Sequence, residues 1–170
     1  MFPKNYIIFL DASYSMRKNM YKVAKGINSF IYKINRDNTQ SYFTFFIFHD
    51  ELINISFLQD TSVFGLFNES SIRQYGCTAL YDSLGKFFNE YGEIFDNFTN
   101  YMYIISDGED NKSFRYNVGE IDNLLELYSS KGWNIVHCDI DQSEFSMKFI
   151  DTVVYDVDNI DMLFDNLKIN

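Results

Sequence analysis

The sequence predicts a doubly wound α/β fold: a mostly parallel central sheet with one antiparallel edge strand and helices on both faces. Three observations predict it. Short apolar runs alternate with longer stretches whose apolar residues recur every three or four positions. The first run is apolar at every position, as a parallel strand covered on both faces requires. Two later strand-like runs are separated only by His49, Asp50 and Glu51, too short a link for a parallel crossover.

Tyr6, Ile7, Ile8, Phe9 and Leu10 form the first strand. Met16, Met20, Val23, Ala24, Ile27, Phe30, Ile31 and Ile34 then fall on one helical face, giving a helix of about five turns that packs on the sheet. Residues 42–48 and 52–57 pair as an antiparallel hairpin. Past a loop through Gly76, the positions Leu80, Leu84, Phe87 and Phe88 mark a second helix, and residues 101–105 a further strand. A helix over 118–128 leads to a strand over 133–140, and Val153, Val154 and Tyr155 with a helix over 160–167 close the chain. Nothing in between reads as a linker, repeat or low-complexity tract, so residues 1–170 read as a single domain.

A domain of this length buries roughly 70% of the surface of its unfolded chain. Apolar residues make up 46% of the sequence and aromatics 19%, which suits a globular, aromatic-packed core. The net charge of −10 repels phosphate backbones and anionic headgroups, so neither nucleic acid nor membrane is an expected partner. The apolar opening is stopped at Asp11, too soon for a leader core or a membrane span. With two cysteines, Cys77 and Cys138, the chain reads as a soluble, reduced, cytoplasmic protein.

Ligands of doubly wound sheets sit beyond the carboxyl ends of parallel strands, near the switch in strand order. Polar residues gather at such ends here. Asp11, Ser13 and Ser15 follow the first strand, Thr78 precedes the second helix, and Asp107 follows the strand ending at Ser106. All five offer oxygen. Hard oxygen ligands suit one Mg²⁺ or Mn²⁺ and disfavour zinc, and a set with few carboxylates leaves coordination positions for an external ligand. Neutral hydroxyls cancel little of the ion's charge, and a helix beginning near Ser15 adds its positive end, so the ion favours an external carboxylate.

The segments Asp11-Ala12-Ser13-Tyr14-Ser15, Gly76-Cys77-Thr78-Ala79-Leu80-Tyr81-Asp82 and Ser106-Asp107-Gly108 resemble, in order and separation, the three parts of the metal-ion-dependent adhesion site of von Willebrand factor type A domains. The resemblance covers essentially the whole chain. His49-Asp50 after the hairpin's first strand, and residues 104–111, are similar to stand-alone microbial members. The resemblance implies a Rossmann-like fold in which Ser13, Ser15 and Thr78 touch the metal through hydroxyls, and Asp11 and Asp107 directly or through water. It further implies a protein-interaction module, not an enzyme, whose partner completes the coordination with an Asp or Glu. The first segment also resembles the integrin β-subunit version, but Arg17, Lys18 and Asn19 stand where those domains carry acids for an adjacent second metal. One ion is therefore expected.

Tyr14, Arg17, Arg73 and Lys112 are expected at the rim, with Lys18 and Arg115 adding to a basic collar that steers an acidic partner. Cys77 is expected to be an inert buried thiol, His49 and His137 hydrogen-bonded structural groups, and Glu109 and Asp110 turn residues. The acids Asp151, Asp156, Asp158, Asp161 and Asp165 lack calcium-loop spacing and read as an exposed face. Two alternatives stay open. One is a Mg²⁺-dependent phosphotransferase similar to the haloacid dehalogenases, which also place an Asp after the first strand and an Asp-Gly pair, here Asp107-Gly108, after a later one. That chemistry needs an acid two residues after the first Asp, where Ser13 stands. The other is a structural subunit whose metal is sealed by an acid of its own, such as Glu109.

Overall fold

A computed structural model describes residues 2–36, 40–108, 110–140 and 151–154. Strand β1 (Lys4–Asp11) leads through a 3₁₀ turn (Tyr14–Lys18) into helix α1 (Met20–Arg36). There follow β2 (Ser41–Phe48), β3 (Leu52–Asp60), α2 (Leu80–Tyr91), β4 (Thr99–Ser106), α3 (Val118–Ser130), β5 (Asn134–Asp139) and β6 (Asp151–Val154). The six strands lie in the order β3-β2-β1-β4-β5-β6. All neighbours are parallel except β2 and β3. This is the predicted doubly wound sheet with its antiparallel edge. Tyr155, the helix expected over 160–167 and the acids at 156, 158, 161 and 165 lie outside the described residues.

One boundary departs from expectation. The helix expected from Met16 begins at Met20, and residues 14–18 form a 3₁₀ turn instead. Three residues per turn bring positions i and i+3 into line. Met16 and Asn19 accordingly both point inward, while Tyr14 with Arg17, and Ser15 with Lys18, stay exposed. An α-helical turn would not keep those rows in register. The end of α1 is therefore about a turn further from Ser15 than expected, and its dipole falls off over that distance.

Strand alternation sorts the core into two layers. Tyr6, Ile8 and Leu10 face α1 together with Phe43, Phe45, Tyr103 and Ile105. On the other face Ile7, Phe9, Phe46, Met102 and Ile104 meet Leu84, Phe87 and Phe88 of α2 and Ile121 and Leu125 of α3. Phe87 is fully buried at the centre of that second layer. Its ring lies 5.3–6.4 Å, centroid to centroid, from those of Phe9, Phe46, Phe88, Tyr91, Phe95 and Trp133. At the amino end of the strands a buried polar ladder fixes register: Thr44 Oγ1 donates to Asn5 Oδ1 (2.9 Å), and Asn5 Nδ2 donates to Asn100 Oδ1 (3.2 Å).

The edge strand β3 is irregular. Its pairing with β2 shifts register on both sides of Phe45, and Leu58 takes a positive φ of 46°. Among the described residues no helix is long and apolar enough to cross a membrane.

Truncating the centre of the aromatic layer leaves a cavity with rigid walls. Phe87→Ala is expected to destabilise the chain by about 3–5 kcal/mol. Urea unfolding followed through Trp133, the single tryptophan, checks this; a loss under about 1 kcal/mol contradicts the packing role.

Candidate metal centre

The chain runs from β1 towards β3 on one side and from β4 towards β6 on the other, so the strand order switches between β1 and β4. Asp11 ends β1, Ser106 ends β4 and Asp107 directly follows it. The crevice that such a switch opens lies between them.

Asp11 is fully buried and both of its oxygens accept hydrogen bonds. Oδ1 takes the Ser13 backbone N–H at 2.7 Å, and Oδ2 takes the Ser106 hydroxyl at 2.7 Å. The Ser13 and Ser15 hydroxyls lie 3.1 Å apart, and Ser15 Oγ donates to Asp107 Oδ1 at 2.8 Å. Ser13, Ser15 and Asp107 thus form a continuous chain of oxygens, with Asp11 holding the Ser13 backbone. Ser15 is the exposed member of the predicted set; Asp11, Ser13, Thr78 and Asp107 are buried.

Thr78 reaches the same end through its backbone. Tyr75 N–H donates to Ala12 O (3.2 Å) and Tyr14 N–H to Gly76 O (3.4 Å), which ties this loop to the one after β1. Thr78 N–H donates to Asn111 Oδ1 (2.9 Å), and Asn111 N–H returns to Thr78 O (3.0 Å), which ties it to the loop after β4. Asp50 braces it from the third side, its Oδ1 accepting the Cys77 N–H at 2.9 Å. Gly76 makes that possible, since its φ is +75° and a Cβ there would lie 2.7 Å from the Asp50 carboxylate.

Sequence reasoning missed the clamp around α2. Asp110 accepts the Tyr81 N–H (3.2 Å), Ser113 Oγ accepts the Asp82 N–H (2.9 Å), and the Asp82 carboxylate accepts the N–H groups of Phe114, Arg115 and Tyr116. The free donors at the start of α2 and the loop after β4 thereby satisfy each other. The spacing Asp110-x-x-Ser113 was its one sequence signal, typical of a turn. Asp110, expected only to solvate a turn, instead bonds Tyr81 and Ser113, whereas Glu109 lies outside the described residues.

Burial pushes the Asp11 carboxyl up to about 6, with neighbouring Asp107 adding to the rise and the hydrogen bonds from Ser13 and Ser106 opposing it. His49 is buried and its Nδ1 accepts the Asp50 N–H at 2.7 Å, while burial lowers the pKa of His137 to about 4. The bond to His49 fits the hydrogen-bonded role expected of it, whereas His137 fits that expectation by burial alone. Cys77 differs: its side chain is exposed, not buried, and the loop is held there through the Cys77 backbone N–H, which donates to Asp50. The rim residues Tyr14, Arg17, Arg73 and Lys112 are all exposed. Tyr14 and Arg17 flank Ser15, Arg73 lies over the Tyr75 ring at 5.7 Å, and Lys112 follows Asn111.

The donors suit a hard divalent cation, being two carboxylates and three hydroxyls. Among the described residues no group of three or more His, Cys, Asp or Glu side chains gathers, so the serine and threonine oxygens are essential to any such site.

No protein-family model matches the chain, and no curated protein matches it in sequence. Solved structures match it in fold. A von Willebrand factor type A protein from Catenulispora acidiphila superposes with a TM-score of 0.64 at 13% identity, over 95% of this chain and 41% of that one. The chain has a von Willebrand factor type A-like fold. Proximal thread matrix protein 1 from the mussel byssus gives 0.64 at 15% identity, over 97% of this chain and 45% of that one. Manganese-loaded TRAP protein of Plasmodium vivax gives 0.61 at 15%, over 95% and 71%. The chain thus spans less than half the length of the first two.

One part of the pH dependence of the metal-free chain follows from Asp11. Its ordinary value is 3.8, so between pH 4 and 6 the folded state holds a proton that the unfolded state has lost. Asp11 is therefore expected to contribute a fall of about 2–3 kcal/mol as pH rises through that window, opposed by His137, whose folded form has lost a proton there that the unfolded chain keeps. Urea unfolding in chelator at stepped pH isolates the Asp11 part as the difference between the two chains, with Asp11→Asn expected to gain stability relative to the unsubstituted chain as pH rises from 4 to 6; an equal pH dependence in both assigns the effect elsewhere.

Proposed function

We propose that this chain is a divalent-metal-dependent protein-interaction module, in which Asp11, Ser13, Ser15, Thr78 and Asp107 hold one Mg²⁺ or Mn²⁺ and a partner's Asp or Glu completes the coordination. The observation that carries this reading is the chain of oxygens from Asp107 through Ser15 to Ser13, set at the switch point and backed by a buried Asp11. A bound divalent ion would supply a Lewis-acidic site for an incoming carboxylate. The residues divide the work. Asp11, with both oxygens already accepting, would orient the Ser13 loop and contribute charge, while the Ser13, Ser15 and Thr78 hydroxyls and Asp107 would hold the ion. The likeness in fold to a manganese-loaded protein supports a divalent ion.

Phosphotransfer is the weaker reading. The position that would need a general acid is Ser13, whose hydroxyl joins Ser15 and whose N–H is committed to Asp11. Against a net charge of −10, the exposed Arg17, Arg73 and Lys112 give this end of the sheet a local field that draws an acidic surface.

Two measurements test the reading. Calorimetric titration with Mn²⁺ is expected to show one site, weakened at least about tenfold by Asp107→Ala. Capture of an acidic partner is expected in Mg²⁺ but not in chelator, and not by Asp11→Ala. Metal-dependent phosphate release from generic phosphoesters, lost in Asp11→Ala, would instead favour the enzyme. Charge reversal of Arg17 and Arg73 is expected to slow partner association on the order of tenfold, with the effect fading in high salt.

A further inference from the structure

The turn between β2 and β3, residues 49–51, supplies none of the five proposed donors, yet it grips the loop that carries Thr78. Three consecutive backbone N–H groups of that loop are held by acceptors from elsewhere in the chain. Cys77 N–H donates to Asp50 Oδ1 (2.9 Å), Thr78 N–H to Asn111 Oδ1 (2.9 Å) and Ala79 N–H to His49 O (2.8 Å). Two of those acceptors belong to the turn. His49 stiffens the turn in its own right, since its Nδ1 accepts the Asp50 N–H at 2.7 Å and its ring packs on that of Tyr75 at 4.1 Å between centroids. Asp50 is pressed against the loop from outside, where a Cβ on Gly76 would lie 2.7 Å from its Oδ2. Thr78, 3% exposed, is thus fixed at both of its sequence neighbours, while Asp50 stays at the surface.

We propose that Asp50 is a positioning residue that sets which cation the site accepts, by holding the Thr78 loop where it suits Mg²⁺ and not the larger Ca²⁺; the inference rests on the metal-centred reading above. Mg²⁺ demands near-octahedral oxygens at about 2.1 Å, whereas Ca²⁺ takes them at about 2.3–2.6 Å and tolerates irregular shells. To serve the larger ion, the Thr78 hydroxyl has to shift by roughly 0.3 Å. Its loop has little slack in either direction. Contact between Gly76 and the Asp50 carboxylate blocks movement towards the turn, and the bonds from the Cys77 and Ala79 N–H groups oppose movement away from it. The His49 acceptor is a backbone carbonyl that survives any substitution, so Asp50 is the side chain on which the stiffness of this contact depends. Charge is a separate contribution. A carboxylate attracts both divalent ions alike, whereas a hydrogen-bond acceptor distinguishes them through position.

Titration calorimetry of the full chain with Mg²⁺ and with Ca²⁺ tests this, beside urea unfolding to establish that each variant is folded. The unsubstituted chain is expected to prefer Mg²⁺. Asp50→Ala is expected to weaken Mg²⁺ about tenfold and Ca²⁺ less than about threefold, which narrows the preference. Asp50→Asn keeps an acceptor oxygen without the charge and is expected to weaken both ions alike, with the preference retained. Asp50→Glu keeps the charge but displaces the carboxylate by one methylene, and is expected to narrow the preference as alanine does. Without metal, amide hydrogen exchange at Cys77 is expected to quicken in Asp50→Ala and Asp50→Glu and to stay slow in Asp50→Asn. A preference for Ca²⁺ in the unsubstituted chain, an unchanged preference in Asp50→Ala and Asp50→Glu, or a narrowing in Asp50→Asn equal to that in Asp50→Ala would overturn the role of Asp50 while leaving the metal reading intact. Failure of the unsubstituted chain to bind either ion would overturn both.

Discussion

The loops at the carboxyl end of the sheet are organised around a buried carboxylate with two fixed donors. Asp11 ends a strand that is buried from Asn5 onward, so its charge has nowhere to go but into the bonds from the Ser13 N–H and the Ser106 hydroxyl. The first of these bends the chain into the 3₁₀ turn that presents Ser15. The second joins the ends of β1 and β4 across the switch in strand order. Burial without a counter-charge is unfavourable, which is why the carboxyl sits well above its usual range and why a cation at this place would be stabilising.

Around that carboxylate the loops are fastened to one another more than to the sheet. The loop carrying Thr78 bonds to Ala12, to Asn111 and to Asp50, each from a different direction. The start of α2 and the loop after β4 share Asp82, Asp110 and Ser113. Side chains held in this way are oriented before any ligand arrives, which reduces the entropy lost on binding.

Most of the fold was legible because strands covered on both faces must be apolar throughout and helices must repeat at 3.6 residues. Tyr6 to Leu10 and the row from Met20 to Ile34 carry those signals plainly. The set Asp11, Ser13, Ser15, Thr78 and Asp107 could be picked out because each residue sits at a strand or helix end. The 3₁₀ turn was not legible, since Met16 and Met20 satisfy the α period as well as Met16 and Asn19 satisfy the tighter one. The roles of Asp50, Asp82 and Asn111 were hidden for another reason. Each acts through backbone N–H groups 27 to 34 residues away in the chain, and no local pattern encodes such a bond.

The irregular course of β3 bears on how readily a chain with 18 phenylalanines would join another edge to edge. Its outer edge carries eight consecutive uncharged residues from Leu52 to Gln59, a composition that invites lateral growth into fibres. The register shifts about Phe45 and the left-handed Leu58 break that edge before it offers a flat run of donors and acceptors. A neighbouring chain cannot extend the sheet there without first straightening the strand. On this flank of the molecule lateral growth is thus opposed by backbone shape and not by charge, since those eight residues carry none.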